Sequence, residues 1–287
     1  MSTVASQVPR PAPTRLQEQR RKIRDEAPTG LWAHLVFYGR VMRSLPQALR
    51  YRSVIASTVS DITVGVGALI VGAGTFFVIF AMSFFTGTQV GLEGYQGLSQ
   101  IGAESFTGFV SSFANTREIT PLVAGVALAA QVGTSFTAEI GAARISEEID
   151  ALEVMAVPSL VYMVSTRVWA ALITMVPLYL AALFSSYIAT EAIATRFFTL
   201  DPGTYQHYFK LFLPPIDVFF SLIKAIIYAI VVTLIHCYYG YHASGGPAGV
   251  GVASGRAIRS SIVTVVVLNL FLSLLMWGGG DTIQIAG

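Results

Sequence analysis

Between Asp61 and Glu93 the chain carries no charged residue. The run ITVGVGALIVGAGTFFVIFAMSFFTG inside that interval is long enough to cross a roughly 30 Å hydrocarbon layer as a helix. Four further runs of this kind follow: ITPLVAGVALAAQVGTSFTA, VWAALITMVPLYLAALFSSYIAT, VFFSLIKAIIYAIVVTLIHCYYGY and SSIVTVVVLNLFLSLLMWGGG. Composition agrees, with 54% hydrophobic and only 12% charged residues, against about 25% charged in a soluble domain. The expectation is an all-α polytopic membrane protein with five transmembrane helices, at about 54–86, 119–140, 160–190, 216–241 and 260–280. Pro121, Pro177 and the glycines of the first run are tolerable, because neighbouring helices satisfy freed backbone groups.

Orientation follows from lysine and arginine. The segment before the first run carries Arg10, Arg15, Arg20, Arg21, Lys22, Arg24, Arg40, Arg43, Arg50 and Arg52. Arg144 and Arg167 flank the second connection, and Arg256 and Arg259 the fourth. The other two connections hold Arg117, Arg196 and Lys210. This asymmetry predicts a cytoplasmic N-terminus and a C-terminus on the outer side of the membrane. Residues 1–28 are expected to be a disordered cytoplasmic tail, with no apolar core of the kind a secretory signal needs. Residues 29–287 are read as one membrane domain.

LWAHLVFYGRVMRSLPQALRYR, residues 31–52, is amphipathic. Leu31, Leu35, Met42, Leu45 and Leu49 fall near one helical face, and Arg40, Arg43 and Arg50 near another. That pattern predicts an interfacial helix at about 30–52, basic side toward anionic headgroups, which Pro46 should break or kink.

The densest acidic cluster, ISEEIDALEVMAVP, lies between two spans. Its carboxylates cannot enter hydrocarbon, since each charge at a helix centre costs about 2.5–3.5 kcal/mol. The pattern predicts a short helix at about 146–157, with Ser146 as N-cap, Glu147 and Glu148 at the positive end, and Pro158 as terminator. Ile145, Ile149, Leu152 and Met155 or Ala156 form an apolar stripe, while Glu147, Asp150 and Glu153 sit off it. Such a helix can dock into a partner's groove, or it can be a solvated loop. Catalysis would need a carboxylate in a cleft, and a Ca²⁺ loop would need alternating ligands and a turn glycine.

Other chemistry-bearing residues are sparse. His34, His207, His236 and His242 lack metal-ligand spacing, and an interfacial role beside tyrosines accounts for His236 and His242. Cys237 is the single cysteine. In ASGGPAGVGVASGR, Gly249, Gly251 and Gly255 miss the G-x-G-x-x-G spacing by one position, so a tight turn and helix start is expected. No G-x-x-x-x-G-K-[ST] phosphate loop is present. Lys224, two turns from Asp217, must either snorkel outward or make a polar contact near a substrate path. Phe77, Phe80 and Phe84 share one face of the first span, as lipid contacts or as a substrate-path lining.

GARISEEIDALEVMAVPSLVYMVSTRVWAAL resembles the signature of the MlaE/YrbE permeases, membrane subunits of ABC systems that move lipids with MCE-domain proteins. The family pattern runs E-I-G, then E-E-I-D-A-L-x-x-M, then a basic residue opening the next span. Here those are Glu139-Ile140-Gly141, Glu147 to Leu152, Met155 and Arg167. HCYYGYHASGGPAGVGVASGRAIRSS is a second match, and together they most resemble the B-type YrbE subunits of actinobacterial Mce systems. The usual family glycine after the methionine is Ala156 in this chain. The resemblance implies that the acidic segment is a coupling helix, with Glu147, Glu148, Ile149, Asp150, Leu152, Glu153 and Met155 toward an ATPase. It implies an A-type permease partner, Mce ATPase subunits that bind ATP and Mg, periplasmic MCE proteins and an imported lipid such as a fatty acid or sterol. It implies no cofactor, metal, nucleic acid or catalytic residue in this chain. A secondary transporter, which would need polar groups converging at the bilayer midplane, and a membrane-embedded enzyme are the competing readings.

Overall fold

The computed structural model describes residues 30–63 and 74–278. The expected N-terminal tail therefore lies outside the described residues, as does part of the expected first span. All regular elements among the described residues are helical. They are α1 (Leu31–Ala48), α2 (Arg52–Thr63), α3 (Thr75–Ser99), α4 (Glu104–Ile145), α5 (Glu148–Val154), α6 (Val161–Phe197), α7 (Pro202–Leu211), α8 (Pro215–Tyr241) and α9 (Gly246–Trp277). Five of them, α3, α4, α6, α8 and α9, are long and apolar enough to cross a membrane. The protein is an all-α, multi-pass membrane protein.

The chain divides into a short unit ending at Arg40 and a second unit from Val41 onward. In the first, His34 Nδ1 lies 3.1 Å from the Tyr38 hydroxyl one helical turn on. In the second, Val41 and Ala48 are buried while Met42 and Leu49, from the expected apolar stripe, are exposed. The Ser44 hydroxyl bonds to Ser165 at 2.8 Å, and the Trp169 indole N–H donates to the Leu45 carbonyl at 2.9 Å. Pro46 does not break α1. The helix continues to Ala48 and tightens into a 3₁₀ turn at Leu49–Tyr51.

Of the five long helices only α8 keeps its expected bounds; α9 begins at Gly246 rather than at about 260, α6 runs to Phe197 rather than to about 190, and α3 and α4 differ as well. The apolar run placed the first span at 54–86; among the described residues α2 covers its start, residues 64–73 lie outside them, and α3 runs on past 86 to Ser99. Thr86 and Thr88 look like a span's end, yet their hydroxyls bond back to the carbonyls of Met82 and Phe84, so the helix continues through them. The second span was expected to begin at 119. α4 begins at Glu104, because Thr107, Ser111, Ser112, Asn115, Thr116 and Arg117 are buried among neighbouring helices.

α3 lies along α6, and α8 packs on α4, α6 and α9. The α3–α6 seam is made of small and hydroxyl residues, as membrane helix interfaces commonly are. A Cβ at Gly87 would collide with the Ser186 carbonyl oxygen, so only glycine allows this approach. The Thr190 hydroxyl donates to the Gly87 carbonyl at 2.8 Å, and Ser185 to the Phe80 carbonyl at 3.0 Å. At the other side, α8 turns into α9 through Gly245 and Gly246, both left-handed at φ +89° and +74°.

Candidate functional site

The unusual chemistry of α4 lies in its π-helical run, Ser111–Ile119. Wider π turns disturb the regular backbone ladder and are frequent at functional sites. Here the carbonyl of Arg117 accepts a hydrogen bond from Lys224 Nζ at 2.7 Å. On the α6 side the same run bonds Asn115 to Thr190 at 3.0 Å and Thr116 to the Tyr187 hydroxyl.

Around that carbonyl, α4, α8 and α9 assemble a charged cluster. Arg117 grips Asp217 through Nη2 at 2.7 Å and Nε at 2.9 Å. The other Asp217 oxygen accepts from the Trp277 indole N–H at 2.8 Å, so both carboxylate oxygens are satisfied. The guanidinium stands 4.5 Å from the Phe113 ring centre and 5.4 Å from that of Trp277, a favourable setting for a cation on aromatic faces. Lys224 also donates to Ser273 Oγ at 2.6 Å and lies 3.4 Å from Glu118 Oε2. Glu118 accepts from Asn269 Nδ2 at 2.8 Å, and Asn269 Oδ1 accepts from the Tyr228 hydroxyl at 2.8 Å.

Two cations and two carboxylates make the cluster formally neutral, which is the condition for keeping charges in a low-dielectric interior. Burial is uneven. Lys224 is 0% exposed, whereas the Glu118 side chain is 40% exposed. The cluster therefore reaches the surface through one carboxylate, which bonds Asn269 of α9, a helix on which Val266, Leu270 and Leu274 are exposed.

Lys224 does not snorkel outward. It is fixed by three partners inside the bundle. Arg117, Glu118, Asp217 and Asn269 were absent from the expected site. Arg117 read as a charge in a connection between spans, Glu118 was not singled out, and only the two-turn spacing of Asp217 from Lys224 hinted at a shared location. The phenylalanines do not join them. Phe77 is 55% exposed, Phe84 is also exposed, and Phe80 stacks on Phe76 at 6.0 Å on α3. Within this chain Phe77 and Phe84 face outward and Phe80 is half-buried, while Lys224 is enclosed by α4, α8 and α9.

The acidic segment lies at the opposite end of α8. Its helix is α5, Glu148–Val154. Ser146 ends α4 and does not cap α5. The cap position is Glu147, whose left-handed φ of +62° turns the chain sharply between the two helices. Ile149 is fully buried and anchors the segment, and Leu152 is half-buried. Asp150 pairs with Arg144 at 3.0 Å, and Glu153 accepts from Ser159, whose hydroxyl also meets Tyr241 at 3.0 Å. Glu147 and Glu148 are exposed, and so are Val154 at 83% and Met155 at 65%. The outward surface is thus an acidic pair next to an uncovered apolar pair.

Further along, Glu139 bonds Arg167 at 2.9 Å, which joins the E-I-G stretch of α4 to the basic residue of α6. His236 is not interfacial. It is buried between Thr137 at 2.8 Å and Ser261 at 3.2 Å, and so ties α8 to both α4 and α9.

A multi-pass helical bundle with an enclosed ionic cluster at one end and a short acidic helix at the other has the build of a transport subunit. The sequence comparisons are specific. Residues 66–275 match the family model described as Permease MlaE, and the chain belongs to the MlaE permease family. It is 32% identical over 209 residues to a probable ABC transporter permease protein of Rickettsia bellii, covering 73% of this chain and 81% of the relative. It is 30% identical over 213 residues to a probable ABC transporter permease protein of Synechocystis, covering 74% and 81%. It is 27% identical over 212 residues to the intermembrane phospholipid transport system permease protein MlaE of Haemophilus influenzae, again covering 74% and 81%.

Proposed function

We propose that this chain is one permease half of an ABC-type lipid transporter of the Mce kind, most like a B-type YrbE subunit. It works with an A-type permease chain, separate ATPase subunits and periplasmic MCE-domain proteins, and it moves lipid inward across the inner membrane. The observation that carries the reading is the charged cluster opening at Glu118, which bonds a helix with exposed apolar residues. Lys224 and Glu118 offer ionic contacts to a lipid headgroup, and Val266, Leu270 and Leu274 offer an apolar track to its tails. Of α9, Gly246–Trp277, the residues buried within the chain are Ala253, Ala257, Ser261 and Val265, which suits a helix completed by a second permease half. The phospholipid named for the Haemophilus relative is in keeping with such a cargo.

Energy enters through α5, the coupling helix, whose exposed Glu147, Glu148, Val154 and Met155 meet the ATPase. In the orientation this requires, Ser146 and Gly246 are cytoplasmic and Gly94 and Thr204 are outside. Introduced cysteines at these positions label from those sides only, and labelling of 146 and 94 from the same side would remove the five-span model.

The test is lipid uptake by cells carrying the assembled transporter. Lys224→Met lowers uptake about ten-fold, the scale of losing one charge-assisted hydrogen-bond set, with the complex still assembled. Inactivating the ATPase stops uptake. The charged cluster also suits a secondary transporter. Uptake that survives loss of the ATPase and stops with a proton ionophore would select that alternative.

A further inference from the structure

A second feature sits far from the charged cluster. Between α2 and the start of α6 runs an apolar groove of about 480 Å³, lined chiefly by Leu49, Arg52, Ile55, Val59, Trp169 and Ile173. Its Trp169 wall is held in place by the indole N–H bond to the Leu45 carbonyl. The groove opens on the face of α6 that carries Ile173, Leu180 and Phe184, all exposed. That face is apolar over successive turns, so the groove is continuous with the hydrocarbon layer around the bundle. Its distance from the cluster is large. Ile173 precedes Tyr187, the partner of Thr116, by an axial rise of ~21 Å along the helix.

Among the described residues, Arg52 is the one charged residue of the lining. Its Nε donates to the Leu49 carbonyl at 3.3 Å. Among the described residues no carboxylate lies within ion-pair distance of Arg43, Arg50 or Arg52. All three are exposed, and the stretch Leu31–Tyr51 contains no acidic residue. Arg52 is thus an unneutralised cation on the wall of a groove that is otherwise apolar, which matches an anionic headgroup with an acyl chain beside it.

We infer that this groove is a resident binding site for an anionic phospholipid, with one acyl chain between α2 and α6 and the phosphodiester on Arg52. The site is separate from the transport path, and the inference does not rest on the transport reading. A zwitterionic lipid fills the same groove but leaves the positive charge of Arg52 uncompensated.

The test uses the full chain, with whatever subunits co-purify, in phosphatidylcholine vesicles. Dibrominated phosphatidylglycerol or dibrominated phosphatidylcholine is titrated in. Trp169 is read as the fluorescence quenching lost between Trp32→Phe protein and Trp32→Phe/Trp169→Phe protein. Phosphatidylglycerol quenches Trp169 at about a five-fold lower mole fraction than phosphatidylcholine, the scale of one basic side chain at an anionic surface. Arg52→Gln removes that preference and Arg52→Lys keeps it. In protein with Arg52 intact, raising the salt weakens the preference, a readout independent of how the Arg52 variants fold. Equal quenching by the two lipids, or a preference that survives Arg52→Gln, overturns the inference. Trp169 unquenched by either lipid also overturns it, because the groove is then covered by protein.

Discussion

Lys224 Nζ donates to the backbone carbonyl of Arg117 at 2.7 Å. A lysine thus fastens α8 to a π-helical turn of α4, and the side chain of the same Arg117 holds Asp217 from below. One short run of α4 therefore organises both charged residues of α8.

Arg117 and Asp217 are 6% and 4% exposed, so breaking the pair strands a charge in a low-dielectric interior. Asp217→Ala is expected to cost about 3–5 kcal/mol, and Arg117→Leu with Asp217→Leu far less, because the double change removes both charges. Thermal unfolding of the purified protein in detergent gives the comparison. Equal losses for the single and double variants would mean that the pair is held by packing alone.

Gly87 sets the α3–α6 distance. Gly87→Ala places a methyl against the Ser186 carbonyl and also disturbs the Thr190 bond to the Gly87 carbonyl. The expected loss is about 1–3 kcal/mol, as for overpacking of a tight interface. Gly97 is the control, since a Cβ there meets nothing within 4 Å, and Gly97→Ala should be neutral or slightly stabilising. If both alanines behave alike in a thermal melt, the close approach at Gly87 does not exist in the folded protein.

Hydropathy made the five apolar helices legible, because a bilayer selects long uncharged runs. The acidic helix was legible too, because its charges cannot enter lipid. The cluster was not. Thr107 to Arg117 is polar in composition and reads as a loop, but tertiary partners such as Asp217, Thr190 and Tyr187 satisfy those polar groups inside the bundle. Lys224 stood out by itself, whereas its partners are distant in sequence and were paired only by the fold. The cap at Glu147 was missed for a related reason. Ser146 is the better capping residue by type, but α4 runs on far enough to consume it.

Ala156 occupies a left-handed position at φ +58°. Its N–H bonds the Glu153 carbonyl at 3.1 Å, and that of Val157 reaches the Leu152 carbonyl at 2.9 Å, closing the end of α5 as a glycine normally would. A left-handed alanine costs about 1–2 kcal/mol, and glycine gives back about 0.5–1 kcal/mol in chain entropy. Ala156→Gly should therefore stabilise this end by about 0.5–1 kcal/mol, seen as slower hydrogen exchange at the substituted residue's own N–H and at that of Val157. Faster exchange there would mean that the left-handed turn is not held in solution.

The exposed apolar pair of α5 gives the sharpest test of the coupling role. Ile149 is buried and holds α5 on its own chain, so substitution there disturbs the fold. Val154 and Met155 are uncovered and can be changed without touching the bundle. Met155→Asp puts an unpaired charge where an apolar partner surface would close, which costs about 2–5 kcal/mol of binding. The expected result is release of the ATPase during purification and loss of lipid uptake, with the thermal midpoint of the permease unchanged. Glu147→Lys with Glu148→Lys should weaken the same contact more at low salt than at high salt, because both carboxylates are exposed and solvent ions screen them. A Met155→Asp protein that keeps its ATPase and supports full uptake would leave α5 a solvated turn between α4 and α6.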